Sequence, residues 1–180
     1  MKINLGAGYN KFDNFVSCDY DASTNPDYVF DLEKDRFPFD DNSVDEVIAH
    51  HVLEHLGEGY FHCMQELYRV CQNNVVISIR VPHPRHYHFL ADPTHRRPIL
   101  PEGLWLFSKK QNDISKSGKN ASSCLGHYFN VDFEVLDVIN VPDENYIKHF
   151  EGKLNAEVEQ YMHEHNNIIQ EIVIKLLVIK

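Results

Sequence analysis

Apolar positions along the chain change period several times, and each change marks an element. Lys2 to Leu5 and Phe15 to Asp19 are short apolar runs of strand length. The turn signal Asn25-Pro26-Asp27 precedes a third such run, Tyr28-Val29-Phe30, and Val44 to Ala49 reads as a fourth strand. From Tyr60 to Val70 the period becomes helical, with Phe61, Met64, Leu67, Tyr68 and Cys71 spaced three or four apart or adjacent. Val75 to Val81 is a β-branched run of the kind found in a central strand covered on both faces. Phe133 to Val141 reads as a sixth strand. Lys153 to His165 carries Leu154, Val158, Tyr161 and Met162 at amphipathic-helix spacing, and Ile168 to Ile179 closes the chain as a strand expected to run antiparallel.

Strands interleaved with helical segments predict an α/β fold, mostly parallel, in one domain over residues 1–180. Residues 82–130 interrupt the pattern with Pro82, Pro84, Pro93, Pro98 and Pro101 and a polar tract from Lys109 to Ser123. An excursion of this length predicts a lid or substrate loop. Pro101 to Phe107 suits a short helix, with proline in its first turn. Lys109, Lys110, Lys116 and Lys119 are expected on a mobile, exposed loop.

The first two strands are separated by nine residues, Gly6 to Asn14, which include Gly6-Ala7-Gly8. That is too short for a crossover helix. A dinucleotide site needs such a helix, because its N-terminus holds the pyrophosphate. A ligand with ribose and adenine but no phosphate, such as S-adenosylmethionine, does not. The second strand ends in Asp19, where an acid can meet a ribose.

Bulk composition narrows the partners. The net charge of −10 speaks against a large phosphate-backbone interface, so no nucleic acid is expected, and it suits a cationic ligand. No apolar run is long enough to cross a bilayer, and Met1-Lys2 leads straight into a strand, so a cytoplasmic setting without a signal peptide is expected. Cys18, Cys63, Cys71 and Cys124 form no Cys-x-x-Cys pair and read as buried, reduced thiols.

Four motifs in order carry a resemblance: Asn4-Leu5-Gly6-Ala7-Gly8, Val16-x-x-Asp19, Phe37-Pro38-Phe39-x-Asp41-x-Ser43-Val44-Asp45, and His51-Val52-Leu53-Glu54-His55-Leu56. Together they resemble the small class I S-adenosylmethionine-dependent methyltransferases of the type 11 group, over residues 1 to about 95. Asp92-Pro93-Thr94-His95 also resembles a subgroup of predicted small methyltransferases. The resemblance implies a Rossmann-like sheet with an antiparallel C-terminal strand, S-adenosylmethionine as cofactor, and methyl transfer to an oxygen or nitrogen of a small molecule. By it, Gly6, Ala7 and Gly8 approach the methionine part. Asp19, or Asp21 in its place, accepts from the ribose. Tyr20 lies on the adenine, Asp31 and the N–H of Leu32 meet its edge, and His50 and His51 lie near the sulfonium side. His83, His86 and His95 are the candidate bases. Arg85, His88, Asp92, Arg96 and Trp105 are candidate substrate contacts, with Arg97 a further cation, and packing around Trp105 could support a homo-oligomer.

His51-x-x-Glu54-His55 also spells an inverted zinc-protease motif, the basis of an alternative metal-hydrolase reading. The resemblance accounts for the string without a metal, so none is expected. On that reading Glu54 and His55 open a helix and meet backbone or solvent. A cofactor-binding protein without catalysis is the third reading.

Overall fold

A computed structural model of the chain describes residues 1–153 and 155–180. Its strands are β1 (Lys2–Leu5), β2 (Val16–Asp19), β3 (Tyr28–Val29), β4 (Glu46–His50), β5 (Val76–Pro82), β6 (Phe133–Pro142) and β7 (Ile169–Val178). They form one sheet in the order β3-β2-β1-β4-β5-β7-β6. Only β7 runs against the rest, pairing antiparallel with both β5 and β6. The α/β sheet with a reversed C-terminal strand is the expected fold.

Helix α1 (Tyr60–Val70) links β4 to β5 and buries Cys63, Met64, Leu67 and Val70. Right-handed crossovers that step in opposite directions along a sheet land on opposite faces. The step from β4 to β5 puts α1 on one face; the steps from β1 to β2 and β2 to β3 would cover the other. Those two connections hold no α-helix, and the second contains only a 3₁₀ turn, Ala22–Thr24. These connections therefore leave the second face of the β3–β2–β1 end without a helix.

Burial follows. Ile3, Leu5, Val47, Ala49, Ile77, Ile79, Ile174 and Leu176 are almost wholly excluded from water beneath α1. Their neighbours in sequence point the other way and mix apolar residues such as Ile48 and Val173 with charged ones: Lys2 pairs with Glu46 at 2.6 Å, Arg80 with Glu171 at 3.6 Å and Lys175 with Asp137 at 3.7 Å. This corrects the expectation that Val75 to Val81 is covered on both faces, since Arg80 is exposed and Ser78 only half-buried. The β1–β2 connection partly shields this mixed face, with the Phe12 ring edge-on to His50 and Lys2 over the Phe15 ring.

Residues 82–130 are more ordered than expected. They contain α2 (Tyr87–Ala91), α3 (Pro101–Trp105), α4 (Lys109–Ser117) and α5 (Leu125–Tyr128). The mobile loop predicted for Lys109–Ser123 is in large part a helix. Ser108 caps α4 by accepting from the Gln111 N–H, and buried Asn112 donates to the Leu106 carbonyl. A polar composition hid that inward-facing asparagine. After β6, α6 (Glu144–Phe150) was not foreseen; Asp143 caps it. Helix α7 (Asn155–Glu164) matches the predicted 153–165 segment, whose Leu154 lies outside the described residues. All four cysteines are free and buried.

Candidate active site

The chain leaves β1 through a turn in which Gly6 and Gly8 both take left-handed backbone, at φ +61° and +50°. The two glycines serve different ends. A Cβ on Gly6 would stand 2.5 Å from Val52 Cγ2, so Gly6 lets the turn close against the segment that follows β4. A Cβ on Gly8 would meet nothing within 4 Å. Gly8 thus borders open space at the carboxyl ends of β1 and β2, where ligands bind in open α/β sheets.

Asp19 holds this turn. Its Oδ2 accepts the Gly8 N–H at 2.7 Å and its Oδ1 accepts the Asp21 N–H at 2.9 Å. Each carboxylate oxygen retains a further acceptor site. Tyr20 is 79% exposed beside it. Asp21 accepts from the Ser23 N–H, and Ser23, through its side chain first and its N–H second, holds the Asp21 carboxyl below its usual range. Asp31 accepts from the Lys34 ammonium at 2.7 Å and the Glu33 N–H at 2.9 Å; the lysine is the main reason its carboxyl is depressed. Leu32 is buried, and Ala7 is buried under the glycine turn.

After β4, His50 faces the mixed side and reaches Ser78 Oγ at 3.3 Å; burial, then the charge of Arg80, lowers its pKa. His51 takes left-handed backbone at φ 53°. Its Nε2 lies 3.0 Å from Glu171, and its Nδ1 is 3.5 Å from Glu54. The Glu54 carboxylate is the main cause that raises the His51 pKa, against the effect of burial. Leu53–His55 is a separate 3₁₀ turn, not the opening of α1. Glu54 is 0% exposed, and neither carboxylate oxygen has a hydrogen-bond partner among the described residues. Sequence reasoning placed Glu54 in solvent or against backbone; the structure buries it. Beside it lie His55 and His95, with one donor atom from each of the three residues within 4.8 Å of the others.

The remaining histidines and arginines separate by role. His86 is 3% exposed and has both ring nitrogens engaged, Nδ1 by the His88 N–H and Nε2 by Asp143 at 3.2 Å. It pins α2 to the end of β6. Arg85 donates to Asn166 Oδ1 and to the Met162 and His163 carbonyls, so its guanidinium ties down the last turn of α7 and the segment after it. Arg97 lies over the Tyr60 ring and donates to the Leu56 and Gly57 carbonyls. His88 and Arg96 are exposed, and Trp105 is about half exposed at the end of α3. Asp92 accepts from both the Thr94 N–H and hydroxyl. His83 is half-buried on the wall of a cleft of about 470 Å³, with Arg85, Leu100, Pro101 and Asn140 among its neighbours. Burial, then the nearby Arg85, lowers the His83 pKa.

Residues 10–79 match the family described as "Methyltransferase domain". The strand order with one reversed strand, the glycine turn and this match coincide. Residues 10–79 are thus similar to a methyltransferase domain, and they lie in a sheet of the Rossmann-like α/β kind.

The methyltransferase fold extends well beyond the matched residues. An S-adenosylmethionine-dependent methyltransferase from Archaeoglobus fulgidus superposes at a TM-score of 0.63 with 17% identity, over 98% of this chain and 85% of that one. One from Mesorhizobium loti gives 0.55 and 13%, over 98% and 90%. The [4+2]-cyclase SpnF gives 0.56 and 15%, over 99% and 75%. No curated protein matches the sequence. A cyclase on the same sheet shows that the fold alone does not fix the reaction. No helix among the described residues is long and apolar enough to cross a membrane.

Proposed function

We propose that the chain binds S-adenosylmethionine over the carboxyl ends of β1 to β3 and transfers its methyl to an oxygen or nitrogen of a small molecule. The observation that carries this reading is the Gly8 turn, open to ligand and clipped to β2 by a nearly buried Asp19. Asp19, with Asp21 beside it, faces the ribose; Tyr20 offers an exposed ring to the adenine; Asp31 and the Leu32 N–H meet the adenine edge. Ala7 and the glycines lie along the methionine part, with His50 and His51 closing the side toward β4.

The donor supplies a methyl already activated on a sulfonium, whose S–C electron pair stays on sulfur as the new bond forms. The chain's own task is alignment, worth roughly 7–11 kcal/mol when the reacting atoms are well oriented. His83 is the candidate base, because burial keeps it neutral and it faces a cleft able to hold an acceptor. Residues 82–130 form the substrate-side cover, with Trp105, His88 and Arg96 at its surface. His86 and Arg85 act as struts of that cover, since their polar atoms are spent on protein partners. The reading places one domain over residues 1–180 in the cytoplasm, where four buried thiols stay reduced.

Calorimetry with S-adenosylmethionine and its demethylated product tests the site. Asp19→Ala is expected to weaken both at least tenfold, since a lost charged hydrogen-bond partner costs roughly 1.5–3 kcal/mol. Gly8→Ala places a methyl in the open space and is expected to abolish binding, whereas His83→Ala leaves it intact. Unchanged affinity in Asp19→Ala and Gly8→Ala sinks the reading.

A further inference from the structure

Glu54, His55 and His95 come from two segments that the backbone zips together. The Glu54 carbonyl accepts the N–H groups of Arg96 and Arg97, at 2.8 and 3.2 Å. The Arg97 guanidinium repeats the clamp one turn on, against Leu56 and Gly57. The cluster is therefore fixed by main-chain contacts that owe nothing to its own side chains.

The hydrogen bonds around the two imidazoles set their tautomers. His95 Nδ1 lies 2.8 Å from the Phe89 carbonyl, which can only accept, so Nδ1 carries the proton. The Thr94 hydroxyl donates to Asp92 Oδ1 at 2.6 Å, so it accepts from His55 Nδ1 at 2.9 Å. In both rings the lone pair is left on Nε2. A metal-binding histidine is held in this way, with its far N–H given to a carbonyl, a carboxylate or a relay to one. The third member is a buried carboxylate with no hydrogen-bond partner. A buried carboxylate whose oxygens accept no hydrogen bond is costly. His51 approaches it at 3.5 Å but does not make a hydrogen bond to it.

We propose that Glu54, His55 and His95 bind one divalent transition-metal ion such as Zn²⁺. Two imidazoles and one carboxylate form a three-ligand set that leaves a coordination position for water or an acceptor oxygen. Ligand atoms around such an ion stand about 3.4 Å apart. The donors stand within 4.8 Å of one another, so the set must tighten around the ion. His55 and His95 are part-exposed and Thr94 and Arg96 are exposed, which opens a path for the ion. The proposed site departs from the metal-free expectation and differs from the His51-x-x-Glu54-His55 reading, because His95 takes the place of His51. It stands whether or not the chain transfers methyl.

The test is titration of chelator-stripped, full-length chain with Zn²⁺ by calorimetry and with Co²⁺ by visible absorption. One ion per chain is expected, with the cobalt d–d bands of a nitrogen-containing site. His55→Ala, His95→Ala and Glu54→Gln should each weaken binding at least tenfold. Thr94→Val removes only the support of His55 and should weaken it roughly 10–100-fold. His127→Ala, which removes a surface histidine paired with Asp113, should change nothing. Absence of binding to wild-type chain overturns the proposal, as does binding that survives His55→Ala, His95→Ala and Thr94→Val. If His51 is the true countercharge of Glu54, the wild-type titration is flat.

Discussion

Along β5 the side chains alternate between two surroundings. Ile77 and Ile79 are excluded from water under α1, while Ser78 is half-buried and Arg80 exposed on the opposite face. Parallel sheets are usually covered on both faces, because each crossover brings a helix. In this chain the links from β1 to β2 and from β2 to β3 are too short to bring one. The second face mixes half-buried apolar residues with charged ones, and ion pairs along and across its strands supplement the packing there. Fold energy is therefore concentrated on one face, and the candidate chemistry at the carboxyl edge, where both short links pass.

The comparison is broken most severely by a change on the covered face. Leu176 is fully buried between Ile77 and Val135 in strand register. Leu176→Ala is expected to cost about 2–5 kcal/mol of unfolding free energy, the range for a cavity in a packed core. Denaturant melts check it, and a cost under about 1 kcal/mol would mean that this face is loosely packed.

A smaller effect is expected at the rim of the core. Glu66 accepts the Phe37 N–H at 2.8 Å and two Arg69 donors at 2.9 and 2.7 Å. Burial pushes the Glu66 carboxyl up, but Arg69 and the Phe37 N–H together outweigh it and leave the pKa below the usual value. A depressed carboxylate adds stability above its unfolded pKa, about 4.3, and loses it as pH falls through the lower folded value. Glu66→Gln is expected to cost about 1.5–3 kcal/mol at pH 7, the range for charged hydrogen bonds. The gap to wild type should close as melts are run below about pH 4. A gap that stays constant with pH would mean that the charge is not what matters.

The same asymmetry decides what could be read from sequence. Strand β1 and helix α1 agree with their predicted bounds: β1 is a short run buried at Ile3, Asn4 and Leu5, and α1 has the one buried face that helical periodicity reports. The absent first crossover was legible from nine residues between strands. The open face of β5 was marked only by Ser78 and Arg80 alternating with Ile77, Ile79 and Val81, a signal outweighed by the β-branched run around them; the register places the two opposite Lys175 and Val173. At the site, the glycine turn and Asp19 stand out because glycine and a strand-end acid carry local meaning. The company of Glu54 does not, since His95 lies forty-one residues beyond it. Only the backbone clamp between the two segments brings them together. The repeated His-x-x-x-His spacing drew attention to His51, whose left-handed backbone sends its ring toward Glu171 as well as Glu54.

The smallest effect is expected on the mixed face, and it sharpens the comparison. Lys175 is about half exposed and 3.7 Å from Asp137, with Ser78 opposite it on β5. A surface pair of this kind contributes about 0–1 kcal/mol, because water screens it and both side chains lose freedom in making it. Lys175→Ala is expected to shift stability by less than about 0.5 kcal/mol, measured in the same melts as Leu176→Ala. If the mixed face is instead covered by a second copy in solution, the lysine sits in an interface. Its removal would then change stability in a concentration-dependent way and alter the sedimentation profile. A null result in both measurements leaves one face of this sheet packed and the other facing water.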